Sequence, residues 1–127
     1  MSAEKPLILV VENDSIQRDL IKLALSRMEC QVVAVQHGAE ALAVFERATP
    51  KVVLLDLFLP QMSGLEVIER LRENGKIWNT TIIVISSFGF PEVVEQAKET
   101  GAYDFIIKPF EGDLLIKRVK KALQRRR

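Results

Sequence analysis

The chain has a single cysteine, Cys30, among its 127 residues. An internal disulfide is therefore excluded, and the thiol usage fits a reducing, cytoplasmic setting. Cys30 itself reads as a small, partly buried thiol rather than a reactive one. There is one histidine, His37, and it stands before Gly38 as a surface turn residue. No apolar run approaches the roughly 20 residues of a membrane span. Met1 to Pro6 carries one lysine and no long apolar stretch, so no signal peptide is expected. Formal net charge is only +1, which asks for neither nucleic acid nor a membrane surface. Internal repeats, low-complexity segments and glycine-rich phosphate-binding motifs are all missing. What remains is 48% hydrophobic and 28% charged, the make-up of one ordinary globular domain. That domain spans 1–127, with a core over about 7–123 and a basic tail at 124–127.

The strongest local signal is Lys51-Val52-Val53-Leu54-Leu55-Asp56-Leu57-Phe58-Leu59-Pro60. A short unbroken apolar run fits a strand covered on both faces. Leu7 to Val11 reads the same way, Thr81 to Ile85 is a β-branched apolar run, and Tyr103 to Ile107 is the last strand, while Gln31 to Gln36 is less apolar and belongs at an edge. Between them lie segments of helical period. In the first, Asp14 and Gln17 suggest a capping box, and Ile16, Leu20, Leu23 and Ala24 form the inward face, with Met28 near its end. The second turns in Ala41, Leu42 and Phe45 and ends near Pro50. The third uses Leu65, Ile68 and Leu71. The fourth opens on Pro91, presents Val93, Val94 and Ala97, and closes at Gly101. The fifth uses Leu115, Val119 and Ala122. Trp78 is expected to cover the loop before the fourth strand.

Five strand–helix repeats imply a doubly wound parallel sheet with helices on both faces, of the flavodoxin-like order 2-1-3-4-5. All carboxyl ends of a parallel sheet share one edge. Glu12 and Asn13, Asp56, Ser86 and Lys108 therefore meet there. A buried carboxylate needs a metal or a lysine beside it. Acidic residues, a hydroxyl and a lysine around one aspartate suit Mg²⁺ and a phosphoryl group, with the aspartate as nucleophile.

These residues fall within motifs that resemble the receiver domain of two-component response regulators, from about Leu7 to Leu123. The motifs are Ile8-Leu9-Val10-Val11-Glu12-Asn13-Asp14, Gly38-Ala39-Glu40-Ala41-Leu42, Val53-Leu54-Leu55-Asp56, Leu59-Pro60 with Met62 and Gly64, and Gly101-Ala102-Tyr103-Asp104-Phe105 leading to Lys108-Pro109-Phe110. The resemblance implies that Asp56 is the phosphoacceptor. It implies that Glu12, Asn13, Asp56 and the Phe58 carbonyl hold Mg²⁺. Ser86 and Lys108 would complete the catalytic set, Ser86 and Phe105 would be the switch pair, and the bond before Pro109 would be cis. The implied partner is a sensor histidine kinase or phosphotransfer protein, which brings the donating histidine. A homodimer through the fourth helix, fifth strand and fifth helix is a further implication, and nucleic acid is reached only through an output domain absent from this sequence. Such a domain catalyses its own aspartyl phosphorylation and dephosphorylation.

Three positions depart from the pattern. Asn13 is neutral where aspartate is usual, Ser63 replaces an aspartate, and Thr80 replaces a proline. Asn13 keeps a second reading open, a degenerate receiver that binds partners without phosphate. A phosphatase or nucleotide-using enzyme is disfavoured, since Phe58 stands where a second phosphatase carboxylate belongs.

Overall fold

The structure, a computed structural model, describes residues 4–125. Its elements alternate as β1 (Leu7–Val11), α1 (Ser15–Leu25), β2 (Gln31–Val35), α2 (Gly38–Val44), β3 (Val52–Asp56), α3 (Gly64–Glu73), a 3₁₀ turn (Lys76–Asn79), β4 (Thr81–Ser86), α4 (Pro91–Thr100), β5 (Asp104–Ile107) and α5 (Gly112–Leu123). The five strands run parallel in the order β2-β1-β3-β4-β5. The half-exposed β2 is at an edge, and every residue of β3 and β4 is buried. Of the basic tail, Arg126 and Arg127 lie outside the described residues, as do residues 1–3.

Side chains alternate along each strand between two cores. Leu9, Val11, Val53, Leu55, Val84 and Phe105 pack under α2, α3 and α4 with Ala41, Val67, Ile68, Leu71 and Ala97. Ile8, Val10, Val52, Leu54, Ile83, Ile85 and Ile106 pack under α1 and α5 with Ile21, Leu25, Leu115, Val119 and Ala122. This two-sided cover is why the central strands are continuously apolar rather than alternating.

The face of α1 differs from expectation. Ile21 and Leu25 are buried with Ala24 and Met28 packed beside them, whereas Ile16, Leu20 and Leu23 are 70%, 58% and 68% exposed. The helix carries two apolar stripes, each at helical spacing, so periodicity could not say which one meets the sheet. Asp14 caps α1 by accepting from the Gln17 N–H at 2.9 Å. The reciprocal half of the expected capping box is replaced, because the Asp14 N–H goes to Glu12 Oε2 at 3.1 Å. Helix α2 stops at Val44 rather than running on towards Pro50. Trp78 lies in the unforeseen 3₁₀ turn and is 70% exposed, so it does not seal the loop.

Candidate functional site

The register sets the site. Val11 pairs with Leu55, Asp56 with Ile85, and Ser86 with Ile107. The next residues along β1 and β5 are Glu12 and Lys108, so three strand ends deliver Glu12, Asp56 and Lys108 to one place. Lys108 Nζ donates to Glu12 Oε1 at 2.6 Å and to Asp56 Oδ2 at 3.2 Å. Glu12 is 1% exposed and Asp56 8%, so these ion pairs are largely shielded from bulk water. The other Asp56 oxygen, Oδ1, accepts the Phe58 N–H at 3.1 Å. The Lys108–Pro109 bond is cis.

Burial raises the Glu12 carboxyl above its ordinary pKa, and the hydrogen bonds from Lys108 and from the Asp14 N–H offset this only in part. For Lys108 burial pulls downward, but the bond to Glu12 and the charge of Asp56 outweigh it and hold the ammonium above its usual value. Two carboxylates thus share one ammonium; an isolated charge here would carry a large desolvation cost.

Ser86 is fully buried, and its hydroxyl accepts the Phe88 N–H at 3.0 Å. The Phe58 and Phe88 rings meet edge to face with centroids 5.1 Å apart, each about half exposed. The two phenylalanines are therefore tethered, through their own N–H groups, to Asp56 and Ser86. Phe105 is 9% exposed and sits in the core beneath α4. Asn13 is exposed, and among the described residues its side chain makes no hydrogen bond.

Two contributors escaped the sequence reading. Arg18 Nη1 binds the carbonyls of Glu12 and Asn13 at 2.9 and 3.2 Å, tying the β1–α1 loop to the helix. An arginine one turn into a helix carries no distinctive signal for this. Gly64 belongs to a sequence motif, but its steric role shows only in the fold. A Cβ there would lie 2.5 Å from the Asp56 carbonyl oxygen and 2.9 Å from Leu57 Cα. Only glycine lets α3 begin so close beneath the acceptor strand.

The Glu12 and Asp56 carboxylates are hard oxygen donors. Among the described residues no cluster of three His, Cys, Asp or Glu side chains completes a metal cage. This set fits Mg²⁺, which takes one or two carboxylates and fills its shell with water and phosphate oxygens.

An open parallel sheet of this order, with carboxylates, a hydroxyl and a lysine converging on its carboxyl edge, defines the CheY-like receiver fold. The chain belongs to the response regulator receiver domain family, whose model matches residues 8–120. It is 32% identical over 116 residues to the chemotaxis protein CheY of Listeria monocytogenes, covering 91% of this chain and 96% of that one. Identity is also 32% over 123 residues to the transcriptional regulatory protein CseB of Streptomyces coelicolor, covering 97% of this chain but 51% of CseB. The chain thus spans about half the length of CseB. Among solved structures, the BeF3-activated DrrB receiver domain superposes with a TM-score of 0.86 at 29% identity, over 96% of this chain and 100% of that one. No helix among the described residues is long and apolar enough to cross a membrane.

Proposed function

We propose that this chain is a phosphorylation-operated signalling switch, acting as one unit over about residues 7–123, with Asp56 as the acceptor. One observation carries the reading. Asp56 ends a fully buried strand, yet its carboxylate is held at both oxygens, by Lys108 at 3.2 Å and by the Phe58 N–H at 3.1 Å. A positioned carboxylate at the open edge of the sheet can act as a nucleophile. An Asp56 oxygen attacks phosphorus, the phosphorus–nitrogen bond to the donor histidine breaks, and an acyl phosphate forms. Hydrolysis of that acyl phosphate returns Asp56 and inorganic phosphate, so the domain catalyses both its own phosphorylation and its own reset.

Glu12, Asp56 and the Phe58 carbonyl, with Asn13 as a neutral neighbour, would hold Mg²⁺, which supplies positive charge against the phosphoryl oxygens. Lys108 neutralises charge on the same group. The Ser86 hydroxyl turns from the Phe88 N–H to donate to a phosphoryl oxygen, and Phe105 adjusts its packing beneath α4 in step. This biases the surface of α4, β5 and α5 between two states. That surface is where a partner or a second copy docks. The donor is a cytoplasmic histidine kinase or phosphotransfer protein. Contact with nucleic acid comes only through a separate output domain, as the name of the CseB relative suggests.

A second reading, a receiver that works without phosphate, is favoured by Asn13 and by the engagement of both Glu12 oxygens with Lys108 and Asp14. Acetyl phosphate with Mg²⁺ followed by intact mass separates the two. The switch requires a gain of one phosphoryl group that Asp56→Asn abolishes. No adduct in wild type, or an adduct that persists in the variant, overturns it.

A further inference from the structure

At the opposite, amino edge of the sheet lies a cleft of about 280 Å³ that the switch reading does not use. Its walls come from α3, the 3₁₀ turn, the end of α4, the α4–β5 turn and Arg125 just past α5. Two aromatic side chains line it. Trp78 is 70% exposed, an unusual state for the chain's one tryptophan. Tyr103 carries the Arg125 guanidinium 4.9 Å above its ring centroid. Three cations face Glu99 as the only acid. Besides Arg125, they are Lys98, which among the described residues has no ion-pair partner, and Arg72, whose Nη1 binds the carbonyls of Glu99 and Thr100 at 3.3 and 3.0 Å. Arg72 keeps further N–H donors for another group.

A second, independent observation comes from Thr80. It is 2% exposed, it lines the cleft, and its hydroxyl has no hydrogen-bond partner in the protein. Buried hydroxyls are nearly always paired, because an unpaired one forfeits its bonds to water. A surface that only met a partner protein at its rim would leave this hydroxyl unsatisfied. The hydroxyl oxygen is itself shut off from solvent, so a small ligand in the cleft pairs with it once the Thr80 side chain turns about its Cα–Cβ bond.

We propose that this cleft binds a flat aromatic anion of the nucleoside monophosphate class. The ring stacks on the exposed Trp78 indole, the phosphate meets Lys98 and Arg125, and a polar atom of base or ribose pairs with Thr80. The contacts use an exposed π-face, an unpaired ammonium and, once its side chain turns, a hydroxyl with no partner in the fold. The site is independent of Asp56, which lies at the other end of β3.

Trp78 makes the test direct, since all tryptophan fluorescence reports from the cleft. The protein is titrated with AMP, GMP, CMP and UMP, and in parallel with adenosine and with inorganic phosphate. At least one nucleotide should change the emission saturably, with adenosine and phosphate each at least tenfold weaker. Lys98→Ala should weaken that binding at least threefold. Thr80→Val should weaken it as much while raising the melting temperature of the free protein, a gain not expected of a hydroxyl that is bonded within the fold. Phosphoryl uptake at Asp56 should be the same in both variants. The proposal is overturned if no nucleotide exceeds phosphate, if adenosine alone does as well, or if both variants bind like wild type.

Discussion

The surroundings of Asp56 are split into two unlike halves. On one side Glu12 and Lys108 form a buried, interlocked set of charges. On the other, Phe58 and Phe88 form a half-exposed aromatic pair with no charge at all. The charged half is expensive to break, because removing one member strands another in a low-dielectric interior. The aromatic half is cheap to alter, because its rings already see solvent. Stability and cation binding should therefore answer to the first half, and the lifetime of an acyl phosphate to the second.

The largest effect should come from Lys108→Met. Losing the ammonium leaves Glu12 buried and uncompensated, at a cost of about 3 kcal/mol or more. Glu12→Gln in the same chain should recover most of it, as read by urea denaturation. The pH dependence has a definite sign. A carboxyl whose folded pKa is raised binds its proton more tightly in the fold than in the unfolded chain. The stability of the Lys108→Met protein should therefore rise as pH falls from 7 towards 4.5, and Glu12→Gln should flatten that rise. The wild-type contribution of Lys108 runs the other way. It is complete below pH 10.5 and is lost as pH rises through a folded value higher than that. Equal stability of wild type and Lys108→Met at neutral pH would dissolve the contrast between the two halves.

Next in size is Asn13→Asp, which adds charge to the first half. A gain on the order of 1 to 2 kcal/mol is expected, roughly five- to thirtyfold in Mg²⁺ affinity, since repulsion from Glu12 and Asp56 offsets much of the added attraction. Isothermal titration decides this. Identical affinities would mean that Asn13 is no ligand and that Glu12 carries the site.

The aromatic half is tested by Phe58→Asn with Phe88→Glu. The rings offer no hydrogen bond to an attacking water and help to exclude it. The double variant should hydrolyse its phosphoaspartate about tenfold faster, close to 1.4 kcal/mol in barrier, with little loss of fold stability. An unchanged decay rate removes the rings from the gate. Ser86→Ala is the smallest change, about 1 kcal/mol for the lost bond to Phe88. Phosphoryl uptake should survive, while the amide shifts around α4 that accompany it should shrink. Full-sized shifts would place the switch elsewhere.

Much of this was legible in the residues alone. Apolar runs of strand length alternating with helical periods could hardly be other than a doubly wound sheet, and the weaker Gln31–Val35 run is indeed its edge. The convergence of Glu12, Asp56 and Lys108 followed from parallel strands sharing one carboxyl edge. The face of α1 was not legible. Ile16, Leu20 and Leu23 are as periodic as Ile21 and Leu25, and composition cannot rank two apolar stripes. Arg18 and Gly64 were silent because their work is done across the fold, on carbonyls brought near by the β1–α1 and β3–α3 turns.

Sequence by itself determined the element order, the class of sheet and the chemical types gathered at its edge, because these depend on local periodicity and on the handedness of crossovers. Tertiary structure alone decided which charges pair and which donors are taken. It set Lys108 nearer Glu12 than Asp56, turned the Asp14 N–H onto Glu12, brought Phe58 against Phe88 and left the Thr80 hydroxyl without a partner. Those outcomes turn on differences of an ångström or less in where the folded chain sets each group. Hydrogen bonds and buried ion pairs vary steeply over that range, whereas the pattern of apolar residues does not register it.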